Sequence, residues 1–506
     1  MRRFATKGLG IFALSFLCLP ILLHAQTPAP SQSPFVNWRE LPMSVGTESP
    51  SGEPTLARYD TSLPRRVLAA IQSAYNAAPA YDRHGVTVSI IMPGAPQWDG
   101  FVGFDHAGVP MDTNIELELG SVTKTFVTAL IMRLADEGKL TLKDSLHKWL
   151  RSYDNIDSNI TITQLLNHSS GIYDYFNDDP QLTVLNAAYN ADPSTPWTPD
   201  ELLDIIGAPN FAPGKGYQYS NTNFLLLAMI AEKVGGAPLV DQLHAQFFTP
   251  MHLTHTFLGG FETINGTRPH NFSLVDSGKY TDLYGIDSIA HLTAFFGAGN
   301  MVSTAGDLAR WGSALYTGQL LNAADLKSMI SPMHTLRQGG GLYGLGTQEA
   351  PYGTKKLYGH SGHVPGYTSE MFTNPADSVT VVAIMNADGD GFAPYSSVND
   401  YIVAMLGEIY RPASRVDEGV TPTVASLRAY PNPASDGLHL EWAGNLGAKA
   451  QAQIIDALGR VVAAIPIQSS GSSWLDLRAL NLQPGAYVVR VEGMSEIHSQ
   501  KFLIAK

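Results

Sequence analysis

Residues 118–124 read Glu118-Leu119-Gly120-Ser121-Val122-Thr123-Lys124, and beyond them Phe126, Leu130 and Leu134 recur four apart. That spacing predicts a helix over 121–137 with one apolar face. A serine at the head of a helix ordinarily caps it, with Glu or Gln three residues on. Here the third residue on is Lys124, a cation in the first turn, where the helix dipole disfavours positive charge. The same spacing puts Ser121 and Lys124 on one face. An amine beside a serine hydroxyl can take its proton, provided the site favours the neutral amine. A four-residue S-x-x-K match also arises by chance, so its weight depends on what accompanies it.

Two further elements accompany it. Tyr219-Ser220-Asn221 precedes a helix pattern over 223–234. A tyrosine hydroxyl can pass a proton to a leaving group, and an asparagine side chain can both donate and accept, and so orient a substrate amide. The same residues also suit a helix cap and a core aromatic. His360-Ser361-Gly362 stands within Tyr358-Gly359-His360-Ser361-Gly362-His363, at the expected start of a strand. A glycine there lets another backbone approach, and an extended peptide can then add as an extra strand.

In this order and at these separations, the three elements resemble the serine penicillin-recognising superfamily, in the branch of class C β-lactamases and D-alanyl-D-alanine carboxypeptidases. The resemblance spans about residues 60–410. It takes in Leu134-Ala135-Asp136-Glu137-Gly138-Lys139-Leu140, Ile160-Thr161-Ile162, Leu165-Leu166-Asn167-His168-Ser169-Ser170-Gly171, Gly297-Ala298-Gly299, Ser303-Thr304-Ala305-Gly306-Asp307-Leu308 and Gly362-His363-Val364-Pro365-Gly366-Tyr367. It implies that Ser121 attacks an acyl carbonyl, that Lys124 and Tyr219 share the base and acid roles, and that Asn221 holds the substrate amide. It implies an oxyanion hole from the N–H groups of Ser121 and His363. His360, Ser361, Gly362 and His363 would line the site, with Ser361 and His363 near a substrate carboxylate; Arg268 and Arg337 are further candidates for that carboxylate, neither assigned to it by the resemblance. Class C β-lactamases usually carry lysine at the place of His360; a histidine there resembles the carboxypeptidase and esterase members. The expected activity is a secreted serine hydrolase of the D-alanyl-D-alanine carboxypeptidase kind. An esterase, a β-lactamase, or a non-catalytic protein that binds peptidoglycan peptides stands as the alternative. Its partners would be a small peptide, amide or ester substrate, with peptidoglycan among them.

Outside these motifs the pattern is α+β. A helix is expected over 63–77, strands over 85–92 and 97–105, a strand hairpin over 366–373 and 378–385 around Asn374-Pro375-Ala376-Asp377, and a closing helix over 395–408. Helices flanking an antiparallel sheet, with a mostly helical subdomain between, make up the expected architecture. The stretch 172–216 mixes Tyr173, Tyr175, Phe176, Tyr189, Trp197 and Phe211 with Asp, Asn and Pro. It reads equally as a substrate wall or as a surface excursion packed on itself.

The 506 residues divide into further segments. Arg2, Arg3 and Lys7 precede the apolar run Leu9–Leu23, which reads as a signal peptide over 1–25 cleaved after Ala25. Cys18 lies within it and is the sole cysteine, which leaves no disulfide framework and no thiol nucleophile beyond. A Pro/Ser-rich linker over 26–58, the hydrolase domain over 59–410 and a second linker over 411–427 follow. Short alternating strands over 438–442, 451–455, 474–477 and 486–491 then predict a small Ig-like β-sandwich. There Ala429-Tyr430-Pro431-Asn432-Pro433-Ala434, Asp456-Ala457-Leu458-Gly459-Arg460 and Leu482-Gln483-Pro484-Gly485-Ala486-Tyr487 resemble the type IX secretion sorting domain, over 428–506. This implies a secreted or cell-surface protein and a partner in the export machinery.

The net charge of −13 becomes −16 without residues 1–25, which hold three cations and no acid. With no basic run, a nucleic-acid partner is not expected. No cofactor and no metal are expected either. His252 and His255 lack a third ligand in pattern, and Gly339-Gly340-Gly341 lacks a phosphate-loop lysine and reads as a turn. His168 reads as structural.

Overall fold

The computed structural model describes residues 62–78, 83–176, 192–276, 279–285, 289–331, 334–335, 342–388 and 398–411 of a first compact unit. Of the second it describes 428–430, 437–445, 451–455, 461–467, 470–480, 482–483, 485–492 and 498–504. The expected signal peptide, both linkers, Arg337 and the 339–341 glycines lie outside the described residues.

Helix α1 (Leu63–Ala77) has the bounds its apolar spacing predicts, with Pro64 in its first turn and Leu63, Val67, Ile71 and Tyr75 buried. Strands β1 (Val86–Ile91) and β2 (Trp98–Val102) follow. Helices α2 (Thr123–Asp136), α3 (Asn221–Gly235) and α4 (Ala305–Tyr316) form the middle of the chain. Strands β3 (His334–Thr335), β4 (Leu342–Tyr343), β5 (Gln348–Tyr352), β6 (Lys355–Val364), β7 (Tyr367–Asn374) and β8 (Val379–Met385) come next, and α5 (Val398–Ile409) closes the unit.

The sheet order is β3-β4-β5-β6-β7-β8-β1-β2, antiparallel throughout. One face carries Val86, Val88, Val381, Ala383 and Phe372 against Val67 and Ile71 of α1 and Ile402, Met405 and Leu406 of α5. The other face joins a larger core with α2, α3 and α4, where Phe126 stacks on Trp311 with centroids 3.9 Å apart. A strand buried on both faces needs a near-continuous apolar run, and Val379–Met385 supplies one, broken only by Thr380, whose hydroxyl pairs with that of Thr373. This is the helix-flanked antiparallel architecture the sequence predicts.

A sharp local difference occurs at Ser121. It does not cap a helix; it sits inside a 3₁₀ turn over Gly120–Val122 that runs into α2, and Gly120 holds φ +51°. The turn lies against β6. A Cβ at Gly120 would stand 2.5 Å from the His363 nitrogen, and one at Gly362 would stand 1.9 Å from the Leu119 carbonyl oxygen. Two glycines thus let the nucleophile turn and the strand meet backbone to backbone. The ladder from β5 ends at Gln348–Gly359, so beyond Gly359 that edge of β6 has no strand partner among the described residues.

In the second unit, β9 (Arg428–Tyr430), β10 (Gly437–Asn445) and β13 (Ser470–Asp476) make one antiparallel sheet. Strands β11 (Gln451–Ile455), β12 (Val461–Pro466), β14 (Gly485–Glu492) and β15 (His498–Ile504) make another, in the order β12-β11-β14-β15. Leu438, Leu440 and Leu475 of the first sheet share a core with Ala452, Ile454, Val489 and Val491 of the second. Strands β12 and β15 escape the alternation read from sequence.

Candidate active site

Lys124 is fully buried and its Nζ has three neighbours: Ser121 Oγ at 3.0 Å, Asn221 Oδ1 at 2.8 Å and the Ala298 carbonyl at 2.7 Å. Asn221 Nδ2 donates to the buried Asp174 carboxylate at 3.1 and 3.3 Å, which fixes Oδ1 as the acceptor facing the lysine. Two acceptors therefore take two N–H bonds of a neutral amine, and its lone pair is left for the Ser121 hydroxyl. Burial pulls the lysine down from 10.5 to about 7, against the opposing pull of Asp174. The neutral amine is thus well populated at neutral pH.

Tyr219 approaches from the other side, its hydroxyl donating to Ser121 Oγ at 2.7 Å. Burial raises that phenol well above its ordinary value, so it keeps its proton. Its ring lies 4.7 Å from Lys124 Nζ. Ser220 is the N-cap of α3, and Gly236, left-handed at φ +72°, ends the helix. The start of α3 therefore carries Asn221 to the lysine while the extended residue before it carries Tyr219 to the serine. Ser121 is half-buried and His363 is exposed.

Ser121, Lys124, Tyr219 and Asn221 are thus brought together. Asn221, expected to hold a substrate amide, directs its Oδ1 to Lys124 and its Nδ2 to Asp174. His360 is 1 % exposed, and its ring nitrogens engage the Tyr343 hydroxyl at 3.0 Å and the Ser361 carbonyl at 2.6 Å. Burial and the nearby Lys124 lower it to about 3, so it is neutral. Ser361 bonds through its amide and hydroxyl to Gln348. Gly362 faces Leu119, and the Ser369 hydroxyl donates to the same Leu119 carbonyl at 2.7 Å. Arg268 is held by Glu118 at 2.7 Å and Tyr367 at 3.2 Å; His291, 3.3 Å from the same carboxylate, and Arg268 together lower Glu118 to about 2 against the opposing effect of burial. His255 pairs with Glu116, and His252 occupies a left-handed turn. No group of three or more metal-binding side chains occurs among the described residues.

Asp174 and the Ala298 carbonyl were missed as site groups. Asp174 sits in the aromatic-rich stretch, where no periodicity distinguishes one carboxylate from another. Ala298 contributes only backbone.

Residues 68–402 match the beta-lactamase family, and residues 428–505 match the secretion system C-terminal sorting domain. A penicillin-binding protein of Bacillus subtilis is 27 % identical over 378 residues, covering 67 % of this chain and 78 % of its own. D-aminopeptidase of Brucella anthropi is 24 % identical over 349 residues, covering 66 % of this chain and 61 % of its own. Among solved structures, a D-stereospecific amidohydrolase from Streptomyces sp. is 28 % identical with a TM-score of 0.59, covering 67 % of this chain and 98 % of its own. The sorting domain indicates secretion or cell-surface export. With a family match over most of its length and a buried lysine against a serine, the chain belongs to the beta-lactamase family of serine hydrolases.

Proposed function

We propose that the protein hydrolyses D-amino-acid peptides or amides through an acyl-enzyme on Ser121. The observation that carries this is the fully buried Lys124, whose Nζ lies 3.0 Å from Ser121 Oγ and is held by Asn221 Oδ1 and the Ala298 carbonyl, so that its neutral form can accept the serine proton. Lys124 removes the serine proton as Oγ attacks the acyl carbonyl. Tyr219, donating to the same oxygen, shares proton delivery to the leaving group as the tetrahedral intermediate collapses. The Ser121 and His363 N–H groups hold the developing oxyanion. Water then releases the acid and frees Ser121. Asn221 orients Lys124, and the edge of β6 beyond Gly359, which has no strand partner among the described residues, receives the substrate backbone as an added strand at Gly362 and His363, with the Ser361 side chain beside it. Relatives named D-aminopeptidase and D-stereospecific amidohydrolase support this class. D-alanyl-D-alanine carboxypeptidase activity falls within it.

For the chain as a whole we propose a hydrolase domain over 59–410 and an Ig-like sorting domain over 428–506, preceded by a signal peptide cleaved after residue 25.

The test is a panel of D- and L-alanine anilides, a D-Ala-D-Ala peptide, a short-chain aryl ester and a chromogenic cephalosporin, run beside Ser121→Ala. D-selective amide turnover that disappears in the variant is expected. Turnover of every substrate unchanged in Ser121→Ala would end the proposal, and ester turnover alone would replace it with an esterase. Intact mass after incubation with a fluorescent penicillin reports the acyl adduct.

A further inference from the structure

Behind the catalytic groups lies a buried chain of hydrogen bonds whose direction can be worked out from its ends. His168 Nδ1 faces two donors, the Ser220 N–H at 3.2 Å and Asn223 Nδ2 at 2.9 Å. Asn223 Oδ1 accepts from the Ser170 hydroxyl at 2.7 Å, which fixes the amide with Nδ2 toward the histidine. Nδ1 of His168 therefore carries no proton, and its Nε2–H donates to the Tyr343 hydroxyl oxygen at 3.1 Å. Tyr343 in turn donates to His360 Nε2 at 3.0 Å. His360 must then hold its proton on Nδ1, which donates to the Ser361 carbonyl at 2.6 Å. Each link permits one direction only, and both rings are neutral.

The chain starts at the N-cap of α3, next to Tyr219, and ends on β6, two residues before His363. The Tyr219 ring lies over the His168 ring with centroids 4.3 Å apart, and the Tyr343 ring meets Tyr219 edge-on. We propose that His168, Tyr343 and His360 act as one positioning unit, which holds Tyr219 against Ser121 and locks the β6 strand to the start of α3. It rests on the reading of Ser121, Lys124 and Tyr219 as the catalytic groups. None of the three touches the reacting atoms. Burial lowers both histidines, as the chain requires, and the nearby Lys124 lowers them further. The unit assigns a role to His168, which the sequence marked as structural, and to Tyr343, which it did not mark. It also turns His360 from a group lining the substrate into one that supports the strand.

The test combines a spectrum with kinetics. Imidazole ¹⁵N-labelled wild-type protein is expected to show two neutral buried histidines of opposite tautomer, His168 protonated on Nε2 and His360 on Nδ1. The same tautomer on both, or a protonated ring at pH 7, overturns the chain whether or not the enzyme turns over any tested substrate. Tyr343→Phe keeps the ring and removes the central link. It is expected to lower kcat at least about tenfold with KM within about twofold, as a small misplacement of a catalytic group does. In a double-mutant cycle, Tyr343→Phe and His360→Asn together are expected to cost little more than either alone. A folded Tyr343→Phe with unchanged kcat, or fully additive losses, overturns the positioning role. If turnover survives Ser121→Ala, the catalytic reading fails while the tautomer result still stands.

Discussion

Burial lowers Lys124 to about 7 in the fold, against 10.5 when free, and this makes both activity and the lysine's contribution to stability rise with pH. Only the neutral amine can take the serine proton. Its fraction is about one tenth at pH 6, half at pH 7 and nine tenths at pH 8. The kcat/KM for a D-amino-acid anilide should therefore climb about tenfold from pH 6 to 8 and then level off. Burial lowers His168 and His360 and raises Tyr219, so none of these obscures that limb. For stability the sign follows from proton counts. Between pH 7 and 10.5 the unfolded chain holds the lysine proton and the fold does not, so stability rises with pH there. At about 1.4 kcal/mol per pH unit, the Lys124 contribution from pH 7 to 10 is about 3–4 kcal/mol. Lys124→Met removes it. The variant should be inactive, with kcat down about 10²–10⁴-fold. Its own absolute stability also reflects the unpaired Asn221 Oδ1 and Ala298 carbonyl, so the diagnostic quantity is the difference between wild type and variant across pH. Urea unfolding at pH 7 and pH 10 measures it, with anilide hydrolysis from pH 5 to 9 alongside. A flat kcat/KM profile, together with stability curves that run parallel, would refute the neutral-amine mechanism.

Gly120→Ala should place a methyl against the His363 nitrogen at a left-handed position, displace an oxyanion donor and lower kcat about 10²–10³-fold, measured on the same anilide. Arg268→Leu leaves the buried Glu118 carboxylate with His291 as its remaining partner and should destabilise the fold in denaturant unfolding, by at most about 3–5 kcal/mol. If it instead raised KM only for carboxylate-bearing substrates at unchanged stability, Arg268 would be an anchor. Glu370 lies buried behind the sheet, raised from 4.5 to about 8 by burial and by Asp400. The fold therefore holds a proton that the unfolded chain loses, and stability drops as pH rises from 4.5 to 8. Glu370→Gln should abolish that loss, with a melting temperature equal to wild type near pH 4.5 and several degrees higher at pH 8.5.

The legible parts of the chain are those where burial imposes a period or chemistry imposes a short motif. Helix α1 shows its bounds because Leu63, Val67, Ile71 and Tyr75 recur on one face. Ser121 and Lys124 show because a cation in a first helical turn defies the usual capping pattern. The turn that holds Ser121 does not show, since the backbone contact of Gly120 with His363 joins residues far apart in sequence. Helix α3 begins at Asn221, two residues before its apolar pattern, because Asn221 is buried by the site and not by the helix core. Strands β12 and β15 escape because Val461-Val462-Ala463-Ala464 and the polar His498-Ser499-Gln500 break alternation. Tyr343 escapes for another reason: it sits on a two-residue strand, and its two partners come from segments 175 and 17 residues away.

The same limit explains how the site keeps its lysine poised. Asp174 in direct contact with Lys124 would form a buried ion pair and hold the amine charged, where it accepts no proton. A lysine with no carboxylate near it, fully buried, would fall lower still and become a weaker base. Asn221 stands between the two, with its carbonyl toward the amine and its amide toward the carboxylate. The charge of Asp174 then reaches Lys124 only at a distance, opposing burial without cancelling it. This bridge is not legible in the sequence, because a sequence marks which residue types are present near a motif, not which partners their polar atoms take in the fold. Here every polar end of the amide has a protein partner, and the value near 7 follows from that arrangement: burial sets the direction, and a carboxylate one side chain removed sets how far.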